Sequence, residues 1–359
     1  MNDYVSRLHL SRSADVKTRL KTGEYFPRRR CMFNSGEFAT KKSLIVLTML
    51  GLSGVAMAQS SVTLYGVGDA GIGKIKAADS GGKDANDKIQ MISGGLMNNG
   101  PSRVGFRGIE DLGGGLKVGF NFESGLDLDD GSTVTDTLWA RQANIWIGGI
   151  WGTLKIGRQY TPSYMLQLNT YELTGTADYS VLGGTYKYLG IGARANSVFA
   201  YISPNFNGLS AEVAYITNND CISTTVCGKS MWDAALMYAK GPVKAGLSIQ
   251  KVQDSKIAYQ FGGNYNFGHF ILAASYNQAV QTGTPSVRRG FDLGGAVVFG
   301  PFSATLDVTR DTKNDWAGHK YTNNVLELKY ALSKRTFVYG AYLRLDKTNN
   351  FGLGIHHNF

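Results

Sequence analysis

The sequence predicts an all-β chain, folded as a transmembrane antiparallel β-barrel of about 16 strands. Three observations carry this. Apolar and polar residues alternate with period 2 in segments about ten residues long, the length that crosses a bilayer at a tilt. Tight turns alternate with longer polar connections, as in barrels whose two ends face different compartments. No run of 18 or more apolar residues exists, so strands rather than helices must make any crossing.

Ser102–Glu123 shows one hairpin completely. Val104 and Phe106 share a face opposite Arg103, Gly105 and Arg107. Leu116, Val118, Phe120 and Phe122 share a face opposite Lys117, Gly119, Asn121 and Glu123. Asp111-Leu112-Gly113-Gly114-Gly115 supplies the turn, with residues that tolerate positive φ. The apolar face carries no charge and the polar face carries Arg103, Arg107, Lys117 and Glu123. In a soluble sandwich the apolar face would enter a core. In a membrane barrel it faces lipid and the charges face a watery lumen.

The chain has 359 residues, with 46 Gly, 7 Pro, 17 Phe and 19 Tyr. Residues 1–40 are basic and without strong periodicity, and read as an unstructured leader or an over-long translated start. Residues 41–58 read as a signal peptide: Lys41 and Lys42, an apolar centre from Leu44 to Leu52, and the small-x-small site Ala56-Met57-Ala58. The barrel domain is then 59–359. Residues 1–58 hold 10 of the 37 basic and 4 of the 27 acidic residues, which leaves the mature chain at +4. Its basicity therefore gives little reason to expect a nucleic-acid partner. Export also suits the cysteines: Cys31 leaves with the leader, and Cys221 and Cys227 stand in a polar segment where a disulfide is plausible.

The alternation continues to the end of the chain. Val243, Ala245, Leu247 and Ile249 alternate with Lys244, Gly246, Ser248 and Gln250. Phe302–Val308 and Leu326–Leu332 repeat the pattern. In the next segment Phe337, Tyr339, Ala341 and Leu343 are read as the apolar face, against Val338, Gly340, Tyr342 and Arg344. Seven short turns and eight other connections give about 16 strands, wide enough for an aqueous channel. Aromatics near strand ends, among them Tyr65, Trp151, Tyr160, Tyr201, Tyr215, Phe302 and Tyr330, suit interfacial girdles. The last segment, Phe351–Phe359, is a strand that would close the sheet on Val62–Ile72.

Enzymatic readings fail on their requirements. Gly66-Val67-Gly68-Asp69-Ala70-Gly71 matches a dinucleotide fingerprint but is followed by a polar loop, not a helix. The mature chain has only His269, His319, His356 and His357, with no metal-protease motif and no nucleophile elbow. His356 and His357 fall on opposite faces of a strand, so they are no metal clamp. No cofactor and no metal is expected.

The segments "SSVTLYGVGDAGI", "PSRVGFRGIEDLGGGLKVGFNFE", "GTLKIGRQYTP", "NSVFAYISPNFNG", "YALSKRTFVYGAY" and "GIHHNF" stand in an order and spacing that resemble Gram-negative general porins of the β-proteobacterial and neisserial type. The resemblance covers nearly the whole mature chain. It implies an outer-membrane channel for passive diffusion of small hydrophilic solutes and ions. It implies a homotrimer of 16-stranded barrels surrounded by outer-membrane lipid and lipopolysaccharide, each with its long third loop folded into the lumen. It also implies that Phe359 is the signal read by the outer-membrane assembly machinery.

The loop Tyr160–Arg194, about 35 residues long, is then the one that narrows the pore. Arg103, Glu123, Glu172 and Arg194 fall at matching motif positions. Arg107 joins them by alternation, Asp178 by lying on the loop, and Arg141 by lying close to a further wall arginine. The phase of the strand after Arg141 stays open, because either Asn144 faces lipid or Ile145 faces the lumen. Arg158 lies in the "GRQ" motif but is not placed in the lumen. Wall arginines outnumber wall acids, so a mild anion preference is expected. A substrate-specific channel, or a surface adhesin or receptor that needs no open pore, are the rival readings.

Overall fold

The computed structural model describes residues 61–76, 87–175, 177–217, 221–223 and 226–359. The expected leader and signal segment, 1–58, lies outside the described residues. In chain order the strands are β1 (Ser61–Lys74), β2 (Ile89–Ser93), β3 (Arg103–Gly113), β4 (Leu116–Gly125), β5 (Gln142–Gly149), β6 (Gly152–Tyr160), β7 (Arg194–Ile202), β8 (Leu209–Ile216), β9 (Cys221–Ser223), β10 (Val226–Cys227), β11 (Met231–Lys240), β12 (Val243–Val252), β13 (Ile257–Asn266), β14 (Phe270–Val280), β15 (Val287–Phe299), β16 (Phe302–Asn314), β17 (Thr322–Ala331), β18 (Thr336–Leu345) and β19 (Thr348–Asn358). Between β6 and β7 lie two short helices, α1 (Pro162–Thr170) and α2 (Val181–Tyr186). Strands β9 and β10 pair with each other, and β2 lies along the upper half of β1. The other sixteen form a closed antiparallel wall, as the sequence predicts.

Closure runs through β1 and β19, in register from Val67↔Asn358 to Lys74↔Phe351. Gly66 and Phe359 extend it by exchanging two backbone hydrogen bonds of 3.1 Å. A closed sheet leaves no unpaired edge for lipid to meet. At the inner face of this seam Asp69, fully buried, accepts from Tyr339 Oη (2.7 Å) and Asn98 Nδ2 (2.8 Å), and lies 2.7 Å from His356 Nδ1.

The expected turns join the strands at one end. Gly113, Gly114 and Gly115 take φ of +85°, +60° and +81°, which non-glycine residues adopt only at a cost. Outward positions carry the exposed apolar side chains, including Phe106, Phe122, Leu154, Phe199, Leu247, Leu293, Leu306 and Leu353. Outward aromatic pairs mark both ends of the wall: Tyr265–Phe267 and Phe302–Tyr330 beside the turns, Tyr215–Trp232 and Tyr276–Phe291 toward the loops.

Three expectations need correction. The register of β4 with β5 pairs Asn121 with Asn144 and Phe120 with Ile145. Asn144 therefore faces inward and Ile145 outward, so neither alternative holds: Arg141 precedes the strand, which starts at Gln142, and reaches the inner wall without sharing its parity. In β18 the faces are exchanged: Val338, Gly340 and Tyr342 share the outward face with Leu326 and Leu353, while Phe337, Tyr339, Ala341 and Leu343 point inward. The reason is local. Tyr339, Ala341 and Leu343 are buried with Ile92, Met97, Tyr179, Val181 and Val325, a dry cluster built between the wall and the chain folded against it. Tyr65 and Tyr160 are not girdle residues, since both hydroxyls bond inward-facing side chains.

Candidate functional site

The long loop, residues 161–193, enters the barrel and is stitched to one side of it. Thr161 starts α1: its Oγ1 accepts from Tyr164 N at 3.4 Å and donates to the Gly192 carbonyl at 2.9 Å, so it joins the loop's two ends. Pro162 follows at the first helical position, where its missing N–H costs nothing. Helix α1 lies on the inner faces of β11–β13. Asp233 accepts from Ser163 N (3.1 Å), Ser163 Oγ (2.6 Å) and Gln250 Nε2 (2.9 Å). Gln260 donates to the Ser163 carbonyl at 2.7 Å, and Asn264 to that of Thr170. Gly246 leaves room for Leu166, which a Cβ there would strike.

Farther along the loop, Ser180 caps α2 by accepting from Gly183 N at 2.9 Å. Tyr179 donates to Glu327 at 2.5 Å, and Asn99 donates to both, at 2.6 and 3.1 Å. Asn323 donates to Thr185 Oγ1 at 2.8 Å. All of these wall anchors but the half-buried Asn264 are buried polar groups with a partner, so detaching the loop would strand several of them at once.

The wall formed by β1 and β3–β7 carries the opposite chemistry. Glu123, 3% exposed, lies 2.7 Å from Arg141 Nε and 3.8 Å from Arg103 Nε, and accepts from Tyr65 Oη at 2.9 Å. Arg103 also donates to the Pro101 carbonyl at 3.0 Å. Tyr65 carries Arg107 over its ring at 5.1 Å, and its hydroxyl also lies 2.8 Å from the Asn121 side-chain amide. Tyr160 Oη accepts from Arg141 at 3.0 Å and Arg194 at 3.3 Å, and its ring carries the Arg194 guanidinium at 4.7 Å. Tyr164 stacks on Tyr160 and Tyr188 meets it edge-on, which fixes the ring that positions Arg194. Glu123 thus pairs with two of the four guanidinium groups of this wall, and tyrosines hold the other two.

The seven expected constriction residues separate cleanly. Arg103, Arg107, Glu123, Arg141 and Arg194 come together on this wall. Asp178 approaches from the loop: its N–H donates to the Asn98 carbonyl at 3.0 Å. Burial pushes its carboxyl up to about 8, against the pull of Arg141 and, less strongly, of Arg194 and Arg103, while Asp69 pushes it further up.

Glu172 does not join them. Its carboxylate accepts from Thr174 N (3.1 Å), Thr174 Oγ1 (2.5 Å) and Ser180 Oγ inside the loop. Burial raises its pKa although those bonds oppose it. Glu172 therefore shapes the loop and shows no charge to the arginines. Arg158 is held by the Ala140 carbonyl and Asn196, away from the cluster. Sequence reasoning missed Tyr65 and Tyr160 as positioning groups. For Tyr65 the signal was available, since it shares the parity of Thr63 and Val67, opposite Leu64.

Phe359 ends the seam, its ring half exposed. Cys221 and Cys227 are register partners in the β9–β10 ladder; their side chains lie outside the described part of the structure. Three aspartates, Asp127, Asp129 and Asp130, crowd the loop after β4 with oxygens within 4.8 Å of one another. Exposed acidic clusters of this kind do not by themselves select a metal.

With this geometry in hand, comparison with known proteins is decisive. Residues 43–350 match the family model described as Gram-negative porin. The chain belongs to the Gram-negative porin family. Outer membrane porin protein 32 of Delftia acidovorans is 31% identical over 344 residues, covering 87% of this chain and 92% of that protein. Major outer membrane protein P.IB of Neisseria meningitidis is 28% identical over 357 residues, covering 89% and 100%. Among solved structures, an anion-selective porin from Comamonas acidovorans superposes with TM-score 0.67 at 26% identity, over 84% of this chain and all of that one. As a porin, the protein spans the outer membrane and forms a channel for passive diffusion.

Proposed function

We propose that this porin is a general diffusion channel with a mild preference for anions, and that the preference arises between the arginine wall and the inserted loop. Arg103 and Arg141 pair with Glu123, while Arg107 and Arg194 lie over the rings of Tyr65 and Tyr160 without a carboxylate on that wall, among the described residues, to neutralise them. Charges lining a narrow aqueous passage between low-dielectric walls focus the field on passing solutes. A positive row on one side of the passage, facing the inserted loop across it, also sets a transverse field, which favours polar solutes over apolar ones. The description of the Comamonas structure as anion-selective supports this reading. The working unit in this proposal is a homotrimer in outer-membrane lipid and lipopolysaccharide. Residues 1–58 are lost on export, Phe359 serves the assembly machinery, and Cys221 pairs with Cys227. The protein transports and does not catalyse.

The test is the reversal potential of the reconstituted protein in a KCl gradient. Large ohmic steps with an anion-selective potential are expected. A cation-selective potential would overturn the preference. Steps blocked saturably by one solute would favour a substrate-specific channel, and absence of steps an adhesin.

A further inference from the structure

The outer face of β14–β16 places basic residues directly above an aromatic band. Tyr276 pairs with Phe291, and Phe291 with Arg310. Tyr276 and Phe291 also meet edge-on, with centroids 4.9 Å apart. Amphipathic and aromatic rings of this kind mark the boundary between acyl chains and headgroups. One outward position closer to the loops, about 7 Å along the strand, Arg289 pairs with Lys313. The parity is fixed by neighbours: Arg288 is buried inward on Asp311, so Arg289 faces outward with Phe291 and Leu293.

Three cations therefore crowd one outward patch, and two of them stand directly opposite each other, an arrangement that is destabilising by itself. Their internal neutralisation is small. Lys313 Nζ lies 3.2 Å from Asp315, and Arg310 donates to Thr322 Oγ1 at 2.9 Å. Among the described residues neither Arg289 nor Arg310 has a carboxylate within ion-pair distance. The patch lies at the loop end of the wall, and in outer-membrane barrels the long loops face outward and the short turns face the periplasm, so this end meets the outer leaflet.

We infer that Arg289, Arg310 and Lys313 form a binding site for the phosphate groups of the anionic glycolipid of the outer leaflet, the lipid A moiety of lipopolysaccharide. The chemistry fits on both sides of the boundary. Two guanidinium groups and an ammonium match phosphate oxygens with charge-assisted hydrogen bonds. The apolar and aromatic wall immediately below, with Phe291, Leu293 and Leu306, takes the acyl chains. Neutral headgroups would leave the cationic patch unbalanced, and a free phosphate would leave the apolar wall unused. The inference rests on the outer-membrane channel reading and adds a place and a headgroup to it.

The experiment measures lipid A retained by the purified full-length porin by native mass spectrometry, and single-channel conductance on the same preparation. The variants are Arg289→Gln/Arg310→Gln/Lys313→Gln and the charge-keeping Arg289→Lys/Arg310→Lys. The neutral triple variant should bind lipid A about tenfold more weakly, a difference of about 1.4 kcal/mol, with wild-type conductance. The lysine variant should retain most binding, and lipid A stripped of phosphate should bind the wild type as weakly as intact lipid A binds the triple variant. Retention by the triple variant equal to wild type would overturn the site. So would equal binding of dephosphorylated lipid A, or full displacement by inorganic phosphate, which would make the patch a free-anion site. Loss of conductance in the wild type would instead strike the channel reading.

Discussion

The inside of this barrel is two surfaces. Along β1, β3, β4 and β6 the inward positions include Tyr65, Arg103, Arg107, Asn121, Glu123 and Lys155, which make up the polar wall of the passage. From β11 through β18 the inserted loop covers the wall, and the inward positions either bond the loop or pack against it. Asp233, Gln260, Asn264 and Glu327 hold it. Val325, Tyr339, Ala341 and Leu343 are as buried as any core residue of a water-soluble protein. Both surfaces have the same strands, pleat and lipid outside. They differ in what covers them, so a folded-in loop turns part of a lumen into a core.

The comparison can be broken most forcefully at Leu343. This side chain is 1% exposed and faces the barrel axis. Under the loop, Leu343→Ala leaves a cavity and should cost about 2–5 kcal/mol. Outward on the next strand, Leu353 is 62% exposed to the surroundings of the barrel. Lipid can fill the gap left by Leu353→Ala, so its cost should be well below that of Leu343→Ala. Urea unfolding of both variants in lipid vesicles measures the difference, and anion preference should stay at its wild-type value in both. Equal costs would mean that the covered wall is not a core.

The open wall is tested by charge. Arg103→Gln/Arg194→Gln removes two guanidinium groups and keeps the buried Arg141–Glu123 pair, which would be costly to break. A unit charge about 8 Å from a passing ion, at an effective dielectric near 40, is worth about 1 kcal/mol before screening. The anion-to-cation permeability ratio should fall about five- to tenfold in reversal-potential measurements. Asp233→Asn, on the covered wall, should leave that ratio unchanged. A comparable change from both variants would erase the functional distinction between the two surfaces.

The same division explains what the sequence disclosed. Lipid imposes apolar character on nearly every outward position, so strands with a polar inner face were readable: the Arg103–Arg107–Glu123 set follows from parity alone. In β18 both faces are apolar, one toward lipid and one toward the loop, and alternation cannot say which is which. Parity erred there for the same reason that Leu343 is a core residue. In β5 the ambiguity arose from Asn144 beside Ile145, and only the ladder with β4 resolved it. Loop residues carry no periodicity. Glu172 and Asp178 lie six positions apart, yet one bonds within the loop and the other reaches the arginines, because tertiary contacts with Ser180 and Asn98 decide between them.

Asp178 gives the finest test, because it is the covered surface's charge on the open one. Its carboxyl, pushed up to about 8, is protonated and neutral at lower pH. Raising the pH through that value removes the proton and adds one negative charge opposite Arg141, Arg194 and Arg103. Anion preference should therefore decrease with rising pH. Between about pH 6.5 and pH 9.5 the ratio should fall about two- to fivefold, the worth of at most one partly screened charge. Arginines keep their charge over this range, so the sign is not theirs to set. Asp178→Asn should hold the ratio at its low-pH value throughout, while Glu172→Gln, whose carboxylate is bonded inside the loop, should leave the pH dependence in place. A profile that stays flat in the wild type, or that rises with pH, would place Asp178 out of reach of the permeating ion and leave the arginine wall to set selectivity alone.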